Sequence, residues 1–70
     1  MKLCVNGEDR VFAELDSDTR LSHLVELLQM KPDRIAVEHN GDIVPRTRWE
    51  QVSLADRDRL EIVQFVGGGR

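Results

Sequence analysis

The chain has one cysteine, two prolines, no tyrosine and three aromatic residues in all, Phe12, Trp49 and Phe65. A lone Cys4 cannot close an internal disulfide, so stability has to come from packing, and a reducing, cytoplasmic setting is expected. No apolar run approaches the ~20 residues that a membrane-spanning helix requires, and the first residues carry no signal-peptide pattern. No membrane partner is expected. Ten basic residues are scattered among thirteen acidic ones for a formal net charge of −3, which argues against nucleic acid. His23 and His39 are far apart, with no Cys/His spacing around them, so no metal site is expected. Asp56 with Asp58 reads as a solvated turn rather than a cation site. Cys4 reads as a small strand hydrophobe rather than a persulfide site. There is no visible nucleophile–base pair and no phosphate-binding loop. The chain should bind no cofactor of its own, and covalent chemistry at this protein falls to a partner.

What is present suits one small folded domain: 70 residues, 40% hydrophobic and 33% charged. Lys2 to Val5 predicts a strand, and Asn6-Gly7 a tight hairpin turn, because both residues tolerate positive φ. Arg10 to Leu15 alternates, which places Val11, Ala13 and Leu15 on one face and Phe12 and Glu14 on the other. Asp16-Ser17-Asp18-Thr19 is rich in helix-capping residues. Leu21, Leu24, Val25 and Leu28 then form the apolar stripe of a helix that ends before Pro32. Ile35 and Val37 mark a third strand, Asn40-Gly41-Asp42 a turn, and Ile43-Val44 a brief fourth strand closed by Pro45. Arg46 to Asp58 predicts a short helical turn and loop anchored by Trp49 and Leu54, with Asp56-Arg57-Asp58 as a surface turn. Arg46 itself could pair with acids of a partner or of its own fold. The last strand is Arg59-Leu60-Glu61-Ile62-Val63-Gln64-Phe65-Val66.

That order predicts an α+β domain of the ubiquitin-like β-grasp kind, a mixed sheet with one main helix packed on one face. With Leu3, Val5, Val11, Ala13, Ile35, Val37, Leu60 and Ile62 turned to the helix, Cys4, Phe12, Ala36, Val63 and Phe65 face outward. A fully solvated sheet face should read polar, so this apolar one is expected to dock a partner. Residues 1–66 form the expected domain. Residues 67–70, Gly67-Gly68-Gly69-Arg70, form a glycine tail with the largest backbone entropy to lose on ordering. Without Cβ atoms, such a tail threads a channel that other residues could not enter. Extended, its three glycines reach about 10 Å, so the domain must dock close to where the tail reacts.

Several segments together carry a resemblance over essentially the whole chain. They are Val5-Asn6-Gly7-Glu8, Leu24-Val25-Glu26-Leu27-Leu28, Asn40-Gly41-Asp42-Ile43-Val44-Pro45-Arg46, Trp49, Asp58-Arg59-Leu60-Glu61-Ile62-Val63 and Phe65-Val66-Gly67-Gly68-Gly69. In order and at this length they resemble the ThiS family, the sulfur carrier proteins of thiamine biosynthesis. The resemblance implies a protein co-substrate rather than an enzyme. Its C-terminal glycine carboxylate is adenylated by an E1-like, ThiF-type adenylyltransferase that uses ATP and Mg. It is then converted to a thiocarboxylate that gives sulfur to a ThiG-type thiazole synthase. On this chain the reactive terminus falls on Gly69, preceded by Gly68, while the outward apolar face and the chain that leads to the tail put the expected docking residues at Phe12, Val63, Phe65, Val66 and Gly67. Arg70 departs from the pattern, since a residue after Gly69 blocks the carboxylate: either a protease removes it, or it is foreign to the natural protein, or the chain cannot be charged as it stands. Arg57 is a second departure, standing where relatives carry glycine, and is expected to strain its turn slightly. The alternatives are a carrier of another pathway, such as the small subunit of molybdopterin synthase, and a non-catalytic ubiquitin-like binding module.

Overall fold

Both Asn-Gly pairs take up the positive φ values that a two-residue hairpin demands: Asn6 51° and Gly7 83°, Asn40 52° and Gly41 93°. In the computed structural model, which describes residues 1–65, they join two antiparallel pairs. The first turn joins β1 (Lys2–Val5) to β2 (Glu8–Val11), and the second joins β3 (Ile35–His39) to β4 (Asp42–Val44). β5 (Arg59–Gln64) lies between the two hairpins, so the sheet order is β2-β1-β5-β3-β4. Its pairing with β1 is parallel and its pairing with β3 antiparallel. This is the expected mixed β-grasp sheet.

One α-helix, α1 (Leu21–Leu27), covers the inner face of the sheet with Leu21, Leu24 and Val25. They meet Leu3 and Val5 of β1, Ile35 and Val37 of β3, and Leu60 and Ile62 of β5 in a core that also holds Leu15, Trp49 and Leu54. Trp49 lies in a 3₁₀ turn (Arg46–Gln51), where its indole N–H donates to the Val44 carbonyl at 2.9 Å. Trp49 and Leu54 are thus the anchors expected of this loop. The Asp16–Thr19 cluster does not cap the helix, contrary to expectation. Asp16 and Thr19 close their own turn, with the Asp16 N–H donating to Thr19 Oγ1 at 3.1 Å and the Asp18 N–H to Asp16 Oδ1 at 2.9 Å. The helix begins after extended Arg20, and its Leu21 N–H donates to the Val52 carbonyl at 2.9 Å. A neighbouring segment does what a capping side chain would otherwise do.

The alternation expected of Arg10 to Leu15 fails by one residue. Lys2 pairs with Val11, so Val11 shares the outward face of Lys2 and is 75% exposed, whereas Phe12 is 7% exposed in the core. The strand ends at Val11, and a turn over residues 12–15, in which the Leu15 N–H donates to the Phe12 carbonyl at 3.2 Å, brings both Phe12 and Leu15 inward. Phe12 is therefore a core residue and not part of a docking surface. The Arg10 guanidinium covers its ring at 5.3 Å. The strain expected at Arg57 is present: its φ is 73°, in the left-handed region that costs an L-residue roughly 1–2 kcal/mol.

Three substitutions test this structure. Losing a buried Phe ring costs about 3–5 kcal/mol, comparable to the whole stability of a domain this size, roughly 5 kcal/mol. Phe12→Asp adds a buried charge to that loss and should leave the protein unfolded by circular dichroism, while Val11→Asp stays folded. Arg57→Gly should raise the midpoint of thermal unfolding, since glycine takes φ near 73° without a Cβ clash; a lowered midpoint would contradict the strain.

Candidate functional site

Side chains alternate along each strand, so the register of the sheet fixes what its outer face presents. Val63 of β5 stands opposite Ala36 of β3, and Glu61 stands opposite Glu38. Glu38 in turn stands opposite Ile43 of β4. Nothing among the described residues covers Ile43, Val63 or Phe65, which are 67%, 59% and 53% exposed. Phe65 follows β5, and its N–H donates to the Arg34 carbonyl at 2.7 Å, so the backbone is still anchored where the described chain ends. Of the residues expected to dock a partner, Val63 and Phe65 thus lie on the outer face, and Phe12 does not. Val66, Gly67, Gly68, Gly69 and Arg70 lie outside the described residues, as do the expected domain boundary and tail.

β5 is held by more than its two ladders. The Asn6 amide bonds both backbone groups of one residue: the Ile62 N–H donates to Asn6 Oδ1 at 2.6 Å, and Asn6 Nδ2 donates to the Ile62 carbonyl at 3.2 Å. The side chain so prolongs the parallel ladder after β1 has turned away. At the other end of the strand, the Arg59 N–H donates to Asn40 Oδ1 at 2.8 Å. Sequence reasoning assigned both asparagines to turns and missed these bonds. The repeated choice of Asn before Gly is the only trace of them in the sequence.

Asp58 was expected on a solvated turn but is half-buried and organises the entry to β5. Its carboxylate accepts from His39 Nε2 at 2.7 Å, from Asn40 Nδ2 at 3.1 Å and from the Ala55 N–H at 2.9 Å. Asp56 likewise accepts from the Lys2 N–H, at 2.7 Å. Burial opposes ionisation of Asp58, but the bonds from His39, Ala55 and Asn40 and the attraction of the His39 ring outweigh it and hold its carboxyl below the usual value. Cys4 is half-buried in β1, beside a depression that Lys2, Asp9, Arg57 and Arg59 also line. Among the described residues no three His, Cys, Asp or Glu side chains converge as a metal site would require, and no helix is long and apolar enough to cross a membrane.

A depressed carboxyl stabilises the fold above its unfolded value, ~3.9, and that contribution disappears as pH falls through the folded value. Asp58→Asn should therefore lower the thermal midpoint at pH 7, and the gap to the unsubstituted protein should shrink in acid. Calorimetry at pH 7 and pH 2.5 measures both, and a gap independent of pH would contradict the assignment.

Comparison with known proteins bears on this arrangement. A family model described as the ThiS family matches residues 3–69. A thiazole synthase of Paramagnetospirillum magneticum is 42% identical over 69 residues, which are 99% of this chain and 20% of that protein. The chain thus spans about a fifth of the length of that relative. The sulfur carrier protein ThiS of Bacillus subtilis is 40% identical over 67 residues, covering 96% of this chain and 98% of that one. The crystal structure of the thiamine biosynthesis protein ThiS from Geobacter metallireducens superposes with a TM-score of 0.84 at 27% identity, covering 99% of this chain and all of that one. The sheet order, the single covering helix and a family match from residue 3 to residue 69 agree: this chain belongs to the ThiS family.

Proposed function

We propose that this protein is a sulfur carrier of thiamine biosynthesis, acting in the cytoplasm as a co-substrate of partner enzymes. The observation that carries the reading is the similarity to the Bacillus subtilis sulfur carrier, which extends over 98% of that protein. The glycine run Gly67-Gly68-Gly69 supplies the reacting group. Hydrolysis of the Gly69–Arg70 peptide bond frees a carboxylate on Gly69 and an amine on Arg70. That carboxylate is a poor acyl donor because its oxygen leaves badly. An E1-like adenylyltransferase of the ThiF type repairs this with ATP and Mg, forming an acyl-adenylate and releasing pyrophosphate. Hydrosulfide then displaces AMP, the C–S bond forming as the C–O bond to AMP breaks, and the resulting thiocarboxylate gives its sulfur to a ThiG-type thiazole synthase. No step needs a catalytic side chain on this protein.

In this reading residues 1–66 are the docking domain and residues 67–70 the reacting tail. Gly68 and Gly69, lacking Cβ atoms, admit the carbonyl to a buried site. Val63 and Phe65, with Val66 and Gly67 after them, form the contact that brings the tail close. The thiazole synthase of Paramagnetospirillum magneticum contains a stretch similar to nearly the whole of this chain, which supports a synthase as the receiving partner.

Intact mass of the untagged protein recovered from its native cells tests the reading. The expected species lacks Arg70 and has one oxygen replaced by sulfur, and a variant without residues 68–70 should fold normally and transfer no sulfur. A protein that retains Arg70, carries no sulfur and works equally well without its tail is a ubiquitin-like binding module instead.

A further inference from the structure

Glu38 and Glu61 are directly opposite one another across β3 and β5, on the same outward face. Like charges in that position destabilise a sheet, whereas opposite charges there stabilise it by a few tenths of a kcal/mol to ~1 kcal/mol. Neither glutamate has a cationic partner within 4.0 Å among the described residues, where the ion pairs are Lys2–Asp9, His39–Asp58 and Asp56–Arg57. Arg59 lines a depression with the two glutamates, Asn40 and Gly41, and forms an ion pair with neither carboxylate. Apolar side chains flank the pair on two sides. Ile43 continues its row across β4, and Val63 opposite Ala36 forms the next row towards Phe65. The isolated domain keeps a like-charged pair between the polar row of Arg59 and Asn40 and the exposed apolar row of Val63 and Ala36, where a neutral or oppositely charged pair would stabilise it.

We infer that this face receives a basic side chain of the partner, an arginine or lysine seated between the Glu38 and Glu61 carboxylates, with apolar partner residues on Ile43, Val63 and Phe65. The inference rests on the carrier reading, and the partner it commits to is the thiazole synthase. In the Paramagnetospirillum magneticum protein the similar segment and the remainder of the synthase are one chain, so the two lie at high effective concentration. Charge complementarity at such a surface sets the encounter rate and the choice of partner, and salt weakens it. An arginine suits the site best, because its planar fork can bond two carboxylates at once.

The test is calorimetric titration of the full-length protein against the purified thiazole synthase of the same organism, at 50 and 300 mM NaCl. The double variant Glu38→Gln/Glu61→Gln should bind at least ten-fold more weakly at low salt and lose most of its salt dependence. Its thermal midpoint should be no lower than that of the unsubstituted protein, because a repulsion has been removed. Glu61→Arg should bind at least a hundred-fold more weakly while keeping its circular dichroism spectrum. Affinity within two-fold of the unsubstituted protein, with the same salt dependence, overturns the inference and leaves the carrier reading standing. A midpoint that falls with the affinity also overturns it, since the glutamates then serve the fold. If the unsubstituted protein fails to bind the synthase, the inference falls together with the choice of that partner.

Discussion

The parallel pairing of β1 with β5 is the constraint on which the remaining structure depends. It joins Val5 to Leu60 across most of the sequence and turns two separate hairpins into one sheet. Without it, β1–β2 would be an isolated two-stranded ribbon, marginal in water. The inner side of β5 supplies Leu60 and Ile62 to the core, and its outer side supplies Glu61 and Val63 to the exposed face. One strand therefore serves both stability and recognition. A substitution on one side leaves the other side's register unchanged, because alternation keeps the two sets of side chains apart.

So central a strand needs its position fixed closely, and short polar side chains do this here. The backbone ladder to β1 involves few residues and ends at Leu60, and the Asn6 amide extends it to Ile62. The Asn40 amide and the Asp58 carboxylate hold the opposite end. Each asparagine thus has two roles: its backbone accepts a left-handed turn, and its side chain stands in for a missing strand neighbour. Hydrogen bonds of this kind contribute about 1 kcal/mol each. Their larger effect is on register, since a one-residue slip of β5 would exchange its core and outer faces.

Much of the architecture was legible in the sequence because local chemistry and global fold agree. Asn6-Gly7 and Asn40-Gly41 specify hairpins by φ alone, and Leu21, Leu24 and Val25 mark the buried stripe of α1. Trp49 and Leu54 anchor their loop as expected. The failures came where tertiary structure overrides a local pattern. Val11 and Phe12 stand on exchanged faces because the register of β2 on β1 turns Val11 outward with Lys2, and the turn after Val11 brings Leu15 in beside Phe12, which alternation within the segment does not detect. Asp16 and Thr19 bond each other because the helix start is already satisfied by Val52. The fixed place of Asp58 depends on His39 and Asn40, nineteen and eighteen residues earlier, and sequence spacing carries no sign of that meeting. Of the outer face, Val63 and Phe65 were legible from the final strand, while the opposition of Glu38 and Glu61 required the register of β3 on β5.

The span between Val5 and Leu60 also has a kinetic meaning. Closing a loop of that length costs roughly 3–4 kcal/mol of chain entropy before the contacts formed can repay it. Topologies dominated by such distant pairings fold more slowly than those built from local contacts. The outer face comes into existence with that same step, because its rows Ala36–Val63 and Glu38–Glu61 each take one member from β5. A chain that has formed both hairpins but not yet inserted the last strand has no such face. Assembly of the surface thus reports completion of folding, and a partner that reads it distinguishes finished molecules from unfinished ones.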